Sequence, residues 1–448
     1  MKSNEDNKLD GSLGFIIRFI KNLSTELSPL KNIKSLNKNI SGDIISGIMV
    51  AIVALPLALA FGEMSGLGPV AGIWSAVVGG VIGGLLGGSM VGVSGPTAPM
   101  ASQIAIFMGA FIIGTTDQPD LGAVFSIIFL SGLILVFISM IKISRLIHYI
   151  PYSAIAGFMC GIGVLIILSQ INAFLGMDAD NNINLLALYV AVPSLIVLFL
   201  WEKLQLKLNI LAKIPSTLAA LIIGTGIAYI MNLDIIYIGD KVNFSNNEIF
   251  KLHIPDFTRI IEFIGPAIAL AGLAVIDSLL SCKVADNMTG LRHSSDRETF
   301  GQGVANMTAG LIGGLSTATA TTQTVGNITF GAKTPLATIV KGLTLLGVLF
   351  GLGNLVAIIP NACLAAILFK LGIEILDYRI LPILKRLPLA DLLVFVVVPE
   401  LFLRQEQQIV VEAHQILVLV TVLVLITNGM IYVITTVSLI IQRQLARV

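Results

Sequence analysis

The chain has 448 residues, of which 56% are hydrophobic and 12% are charged, and its mean hydropathy is +0.94. A soluble globular protein of this composition would precipitate, so the balance predicts a protein that is embedded in a lipid bilayer. The formal net charge of +1 gives no reason to expect a nucleic-acid partner.

At the amino terminus, residues 1–40 mix lysine, asparagine, serine and aspartate with one amphipathic stretch, Gly14 to Leu23. They contain no small-residue cleavage site behind a short apolar core, which a signal peptide requires. We therefore expect a cytoplasmic leader whose amphipathic part could lie on the membrane surface.

Apolar runs then follow one another towards the end of the chain. A run that crosses about 30 Å of hydrocarbon as a helix needs about 20 residues, and shorter runs interrupted by glycine lie between the long ones. The long runs start near Ile44, Val70, Leu121, Ile150, Leu185, Thr217, Ile260, Pro335, Ile358 and His414, and the shorter runs start near Gly92, Gly301, Ser316 and Leu389. Together they predict an all-α polytopic membrane protein with about fourteen transmembrane segments.

The positions of the basic residues predict which loops face the cytoplasm. They cluster at Lys2 to Lys38, Lys142 to Arg145, Lys203 to Lys213, Lys283 to Arg297, Arg379 to Arg386 and Arg443. Each cluster falls on the same side of the fourteen-segment count, whereas the loops at residues 115–120 and 178–184 are acidic or neutral. The positive-inside rule therefore predicts that both termini are cytoplasmic. We expect a multi-pass protein of the plasma membrane.

A short motif occurs twice along the chain. Residues 150–157 read IPYSAIAG, and residues 359–366 read IPNACLAA. In the predicted topology the first copy enters the membrane from the cytoplasm and the second enters from outside, which is typical of an inverted repeat. We therefore predict two halves of seven segments, residues 41–235 and 258–448, joined by an extracellular loop, residues 236–257.

Two interrupted segments could form a binding site for an anion. Residues 93–100 carry two prolines near the start of a short run, and residues 316–324 are a threonine-rich stretch that opens another. Transporters with inverted repeats bind their substrate where two half-helices meet near the middle of the membrane. Each helix amino terminus carries about half a positive charge, so a facing pair would attract an anion without lysine or arginine. The alternative is that the hydroxyl groups bond to their own helices and allow close packing.

Asp277 is the most informative single residue. It lies in an apolar segment, and Ser281 follows four residues later on the same helical face. A carboxylate at membrane depth costs roughly 2.5 to 3.5 kcal/mol, so it usually faces a cavity or an ion. A carboxylate beside a hydroxyl group suits a hard monovalent cation such as sodium. Two alternatives stay open: the carboxyl group carries a proton, or it reaches the cytoplasmic interface near Lys283.

An enzymatic function is not predicted. Residues 92–95 match the GxSG pattern of intramembrane serine proteases, but that chemistry needs a histidine beside the serine at membrane depth. The four histidines lie at predicted membrane edges or in loops: His148, His253, His293 and His414. The three cysteines lack the spacing of a zinc site and are interpreted as packing residues.

Several stretches together resemble the SulP family of anion transporters. They are residues 42–62, 96–100, 276–289, 292–293, 301–303, 313–315 and 371–378. The resemblance covers roughly residues 42–395 and is strongest to the cyanobacterial members that transport bicarbonate with sodium. It implies fourteen spans in two inverted halves, with a core domain that moves against a gate domain.

The resemblance also implies roles for individual residues. In the similar family members a sodium site is formed by an aspartate, a hydroxyl group one turn later and a threonine from the tenth span, which match Asp277, Ser281 and Thr321. The anion site lies between the third and tenth half-helices, which places Thr97, Ala98 and Ala320 beside it, together with Thr321. No cofactor is expected other than sodium as the coupling ion.

The implied function is secondary active transport of a small inorganic anion. Leu57, apolar where many sulfate-carrying relatives have glutamine, favours sodium-coupled import of bicarbonate. Residues 316–319 and Gln323 depart from the bicarbonate-transporting members, so a sulfate or dicarboxylate transporter, proton-coupled or exchanging, stays an alternative. An anion channel is the weaker alternative. The regulatory STAS domain that commonly follows in the family is not expected in this chain, and a homodimer is left open.

Overall fold

The computed structural model describes residues 27–112, 119–144, 152–177, 183–207, 214–241, 252–351 and 353–376. In the first half of the chain the helices are α1 (Leu30–Ser35), α2 (Ile40–Met64), α3 (Pro69–Leu86), α4 (Ala98–Ala110), α5 (Leu121–Met140), α6 (Tyr152–Ser169), α7 (Leu188–Lys207) and α8 (Ser216–Ile230). Strand β1 (Ser94–Gly95) lies between α3 and α4.

In the second half the helices are α9 (Ile260–Thr289), α10 (Ser295–Leu311), α11 (Thr321–Thr329), α12 (Leu336–Gly351) and α13 (Asn361–Ile375). Strand β2 (Ala318–Thr319) lies between α10 and α11. Short helical pieces occur at Leu36–Lys38, Ile171–Phe174, Leu185–Ala187, Ile238–Lys241 and Gly353–Ala357.

The predicted helical segments can be compared with these bounds. A helix begins within six residues of each predicted start from Ile44 to Ile358, before some of these starts and after others, while the segments predicted near Leu389 and His414 lie outside the described residues. Among the described helices, α2, α3, α5 and α9 have the length and apolar composition to cross a bilayer. The strands were not predicted, so the all-α description misses a small sheet.

The repeated sequence motif marks the start of two helices. Helix α13 begins at Asn361, directly after Pro360, and α6 begins at Tyr152, directly after Pro151. Proline is well suited to a position just before a helix because its fixed backbone angle needs no amide hydrogen bond. Residues 150 and 151 of the first copy lie outside the described residues, as do the leader before residue 27 and the end of the chain after residue 376.

The chain divides into two compact units. The first unit comprises residues 1–150 and 172–370, and the second comprises residues 151–171 and 371–448. Within the second unit, Gly163 of α6 packs so closely on Gly372 that an added side-chain carbon would lie 2.8 Å from its carbonyl oxygen. Both predicted repeats, residues 41–235 and 258–448, contribute helices to the first unit.

Helix α3 packs directly on strand β1 inside the first unit. It contains a π-helical turn at Gly79–Gly83, and a side-chain carbon added to Gly79 would lie 2.8 Å from the backbone of Ser94. Only glycine permits so close an approach of helix and strand. The strand is therefore held from behind by the backbone of α3.

Helix α2 is tied to the start of α12 and to α11. The buried Asp43 accepts hydrogen bonds from the backbone N–H of Lys333 at 2.8 Å and from the hydroxyl group of Thr334 at 2.6 Å. Ser46, one turn later, donates to Asn327 of α11, with its side-chain oxygen at 2.7 Å. These buried bonds fix α11, and with it the region after β2, against the first long helix.

Candidate functional site

Two short strands hold the centre of the candidate site. Strand β1 pairs antiparallel with β2, with Ser94 opposite Thr319 and Gly95 opposite Ala318. Although 225 residues separate Ser94 from Thr319 in the sequence, the pairing brings the segments after the strands together. Helices α4 and α11 begin within three residues of their strands, so their amino termini lie in the same region of the first unit.

The start of α4 is buried and has no side-chain cap. Thr97 precedes the helix and Ala98 opens it, and they are 6% and 3% exposed. The hydroxyl group of Thr97 makes no hydrogen bond. Pro99 follows and has no N–H to donate. The first amide groups of a helix lack partners within the helix, so the partial positive charge at the start of α4 is not neutralised by a cap.

The start of α11 is also without a side-chain cap, but it is more open. Ala320 is buried and donates its N–H to the carbonyl oxygen of Val93 at 2.8 Å, which joins this helix start to the segment before β1. Thr321, the first residue of α11, is exposed. The structure thus places Thr97, Ala98, Ala320 and Thr321 at the two helix starts.

The predicted cation-binding residues meet between α9 and these helix starts. The hydroxyl groups of Ser281 and Thr321 lie 2.6 Å apart, within hydrogen-bond distance. Asp277 lies one turn before Ser281, and its Oδ2 is buried without a hydrogen-bond partner. The Thr97 hydroxyl group faces the Asp277 carboxyl group without reaching hydrogen-bond geometry. Side chains of α9 therefore reach both helix starts.

The position of Asp277 argues against the alternative in which its carboxyl group reaches the cytoplasmic interface. A carboxylate that reached the cytoplasmic interface would expose both oxygens, whereas Oδ2 of Asp277 is shielded from solvent. An unpartnered buried carboxylate oxygen needs a proton or a cation to offset its charge. Within the described ranges no group of three or more histidine, cysteine, aspartate or glutamate side chains could hold a metal ion. The oxygen atoms present fit a monovalent cation better than a transition metal.

A buried polar network on α10 joins the two strands, and the sequence interpretation missed it. The side-chain amide of Gln302 lies 2.6 Å from the hydroxyl group of Ser94 and 2.9 Å from that of Thr319. The buried carboxylate of Glu298 accepts a hydrogen bond from Thr319 on one oxygen, and on the other from the backbone N–H of Gly88 at 2.8 Å. One helix face therefore fixes the register of both strands.

Asn306 extends the same face by another turn. Its side-chain oxygen accepts from the backbone N–H of Thr317 at 2.5 Å, and its nitrogen donates to the Thr317 carbonyl oxygen at 3.1 Å. The signal in the sequence was the spacing, because Glu298, Gln302 and Asn306 recur every four residues and share one helical face. Such a stripe of polar residues inside an otherwise apolar protein indicates a buried network.

Lys341 of α12 was also missed, because the interpretation of the basic residues covered only those grouped near loops. Its side chain is fully buried, and its ammonium group donates to the carbonyl oxygens of Ala76 at 3.0 Å and Ser94 at 2.9 Å. A single charged residue inside the apolar run of α12 was the available signal. The lysine therefore bonds to both α3 and β1.

The helical architecture, together with two paired strands that each lead into a half-helix, defines a multi-pass membrane protein. The model of the sulfate permease family matches residues 40–398, most of the chain. The chain therefore belongs to the sulfate permease family. This agrees with the family resemblance seen in the sequence motifs.

Two relatives show how similar the chain is to individual members of the family. The bicarbonate transporter BicA of Picosynechococcus is 34% identical over 364 residues, which cover 77% of this chain and 63% of that protein. YvdB of Bacillus subtilis, whose name provisionally describes it as a sulfate transporter, is 31% identical over 372 residues, which cover 78% of this chain and 67% of that protein. The matched part thus spans about 63% of the length of the BicA relative.

A solved structure shares the fold. The transmembrane domain of a cyanobacterial bicarbonate transporter BicA superposes with a TM-score of 0.74 at 30% sequence identity. The match covers 84% of this chain and 98% of that domain. The described helices and strands thus follow the architecture of a membrane transporter domain.

Proposed function

We propose that this chain is a secondary active transporter that imports bicarbonate together with sodium across the plasma membrane. The observation that carries the proposal is the strand pair, which holds two uncapped helix starts beside the buried carboxylate oxygen Oδ2 of Asp277. The similarity to BicA favours bicarbonate as the substrate. Each step of the mechanism uses side chains or backbone groups of the first unit.

The anion would bind at the starts of α4 and α11. Each amino terminus carries about half a positive charge, and free N–H groups there can donate to the oxygen atoms of an anion. The Thr97 hydroxyl group is buried and has no other partner, so it is available as a further donor. Bicarbonate, a small monovalent anion with three oxygen atoms, matches a site formed mainly by backbone N–H groups.

Sodium would bind beside the anion, at Asp277, Ser281 and Thr321. The carboxylate offers an oxygen atom that lacks a partner, and the two hydroxyl groups already face each other. A sodium ion there would offset the buried negative charge of Asp277, which otherwise repels an approaching anion. Each ion would therefore strengthen the binding of the other, and this coupling is what symport requires.

The proposed architecture extends the described helices to the whole chain. We infer fourteen spans in two inverted halves of seven, residues 41–235 and 258–448, with both termini in the cytoplasm. A core domain would carry the site and move against a gate domain, as in other transporters that are built from inverted repeats. The extracellular loop, residues 236–257, would join the two halves.

Uptake into proteoliposomes tests the proposal. Purified protein is reconstituted, and entry of labelled bicarbonate, sulfate and succinate is measured with and without an inward sodium gradient. We expect bicarbonate to accumulate only when the gradient is present, and the other anions to enter at the rate of protein-free vesicles. Sulfate uptake that is indifferent to sodium would overturn the proposal.

A sulfate or dicarboxylate transporter is the second candidate, because the relative from Bacillus subtilis is described as a sulfate carrier. Proton coupling or exchange would then replace sodium coupling, with Asp277 carrying a proton. In the same vesicles, that function would appear as sulfate or succinate uptake that responds to a pH gradient or to internal anion. A channel would instead conduct anions without accumulating them.

A further inference from the structure

Lys341 is a buried lysine of α12 whose ammonium group bonds to backbone carbonyl groups. The side chain is 0% exposed, and the ammonium group donates to two backbone carbonyl oxygens, those of Ala76 and Ser94. Within the described part of the chain no carboxylate forms an ion pair with it. An unpaired charge inside a membrane protein is costly. An uncharged amide could bridge the same carbonyl groups, so the positive charge itself needs an explanation.

The position of the ammonium group relates this charge to the anion site. It lies 2.9 Å from the carbonyl oxygen of Ser94, and a side-chain carbon on Gly95 would approach it to 3.1 Å. From Ser94 the chain runs to the start of α4 at Ala98, a path of at most about 14 Å when fully extended. The charge therefore lies behind the strand that leads directly to the candidate anion site.

Salt would weaken its field little at that distance, although the buried carboxylate of Glu298, which accepts a hydrogen bond from Thr319 of the paired strand, opposes it. The surroundings of Lys341 are buried, and mobile salt ions screen buried charges much less than exposed ones. Since the lysine donates to backbone carbonyls and is covered by β1, it cannot itself touch a bound anion. Any effect on binding must act through space.

We infer that Lys341 sets the affinity and the charge preference of the anion site through the electric field of its side chain. When protonated, its ammonium group places a positive charge beside β1 and attracts anions to the starts of α4 and α11 without contacting them. The inference rests on the proposed function, because it needs an anion at those helix starts. It goes beyond that function because it assigns the selectivity of the site to a residue outside it.

The main test removes the charge in two ways. Lys341→Met replaces the side chain with an apolar one of similar length, and Lys341→Gln keeps a hydrogen-bond donor. At a separation of roughly 12 Å and an effective dielectric constant of about 20, loss of one charge corresponds to about a tenfold change in affinity for a monovalent anion. We expect both variants to raise the KM for bicarbonate about tenfold with little change in the maximal rate.

The comparison of two anion charges separates this role from a structural one. Attraction to a dianion is twice as large, so the inhibition constant of sulfate in competition with bicarbonate should rise about a hundredfold in both variants. Equal changes for the two anions would overturn the inference. So would a fall in maximal rate with unchanged KM, or a rescue by Lys341→Gln that Lys341→Met does not share, because either result points to the hydrogen bonds.

A third variant covers the case in which the buried lysine is needed for insertion. Thr338 lies one turn before Lys341, is buried, and has a hydroxyl group without a partner. Thr338→Asp keeps the lysine and adds a negative charge beside it on the helix. We expect a larger loss of affinity for sulfate than for bicarbonate. If the two anions lose affinity equally, the inference fails.

Matched controls remove a polar atom or a distant charge. Thr338→Val deletes the same hydroxyl group without adding charge, and Lys333→Met deletes an exposed lysine eight residues before Lys341. Both should keep the wild-type KM for bicarbonate and the wild-type inhibition by sulfate. If wild-type vesicles carry sulfate rather than bicarbonate, the proposed substrate fails, yet the same variants still test Lys341 with sulfate as the transported anion and nitrate as the monovalent competitor.

Discussion

The two helix starts at the candidate site are alike in geometry but differ in chemistry. Both follow a short strand, and neither has a side-chain cap. Helix α4 runs for 13 residues and begins at the buried pair Thr97 and Ala98. Helix α11 runs for nine residues, and Thr321 at its start is exposed and bonded to Ser281.

Because of this difference, we expect one helix start to let ions enter and leave and the other to hold them. Thr321 at the start of α11 is exposed, so we expect ions to enter and leave on that side. The start of α4 is closed, and its free Thr97 hydroxyl group faces Asp277, so we expect it to govern how tightly the ions are held. Substitutions of residues that connect the two helix starts should therefore have larger effects than substitutions at either start alone.

Asp277 lies beside Thr97 at the start of α4 and one turn before Ser281, which bonds to Thr321 of α11, and should give the largest effect. Asp277→Asn keeps the size of the side chain but removes the charge, so sodium no longer has an anionic ligand. We expect sodium-stimulated uptake of bicarbonate to fall to the level of protein-free vesicles, while the protein still inserts into the membrane.

The control is Asp256→Asn, the same change at an aspartate whose side chain accepts hydrogen bonds from nearby Thr258. It should transport normally. If Asp277→Asn retains sodium-stimulated uptake at the wild-type level, the coupling role proposed for the carboxylate is wrong. Transport in the wild type that follows pH and ignores sodium would assign a proton to the same carboxyl group.

Gln302 joins the strands that position both helix starts. Gln302→Leu leaves Ser94, Thr319 and Glu298 without their shared donor, and each buried polar group that loses its partner costs about 1–3 kcal/mol. We expect the free energy of unfolding to fall by about 3 kcal/mol and uptake to fall more than tenfold. Thermal unfolding in detergent and proteoliposome uptake measure the two effects.

Thr308→Val is the matched control on the same helix, because the Thr308 hydroxyl group bonds only to a carbonyl of its own helix. It should change stability by less than about 1 kcal/mol. A Gln302→Leu variant as stable as this control would show that the network does not hold the strands.

Thr321 tests the open helix start. Thr321→Val removes a hydroxyl group that faces Ser281 and should remove one sodium ligand, while the dipole of α11 stays in place. We expect the sodium concentration for half-maximal stimulation to rise about tenfold, the effect of losing one hydrogen-bond-strength contact to a charge. Thr322→Val, at the next exposed residue of the helix, is the control. Equal sodium dependence in both variants would exclude Thr321 as a ligand.

Thr97 tests the closed helix start and should give the smallest effect. Thr97→Val removes a donor to the anion but leaves the backbone N–H groups, so the KM for bicarbonate should rise about threefold. Thr97→Ser restores the hydroxyl group and should restore the KM. If Thr97→Val leaves the apparent affinity for bicarbonate unchanged, the anion binds elsewhere.

The positions of the helices could be predicted because each depends on a local property. An apolar run of sufficient length forms a helix in a bilayer whatever its neighbours are. Asp277 stood out for the same reason, as a costly charge within such a run. The proximity of Ser281 and Thr321 followed from the family resemblance, and the structure places their hydroxyl groups 2.6 Å apart.

The strands and their supports could not be predicted from local properties. Each strand has two residues, and its pairing partner lies 225 residues away, as the Ser94 and Thr319 pair illustrates. Nothing in a stretch of glycine, proline and threonine specifies a distant partner. The roles of Gln302 and Lys341 depend on that pairing, so their contacts became visible only once the strands were placed.

The long sequence separation of the paired strands has a consequence for biosynthesis. A ribosome that adds 5–20 residues each second needs roughly 10 to 45 s to move from Ser94 to Thr319, which are 225 residues apart. During that interval the first strand is already within the nascent membrane domain but has no pairing partner, and Lys341, which contacts it from behind, has not yet been made. The paired strands therefore form late in synthesis, and incomplete chains that end before β2 would lack the candidate site.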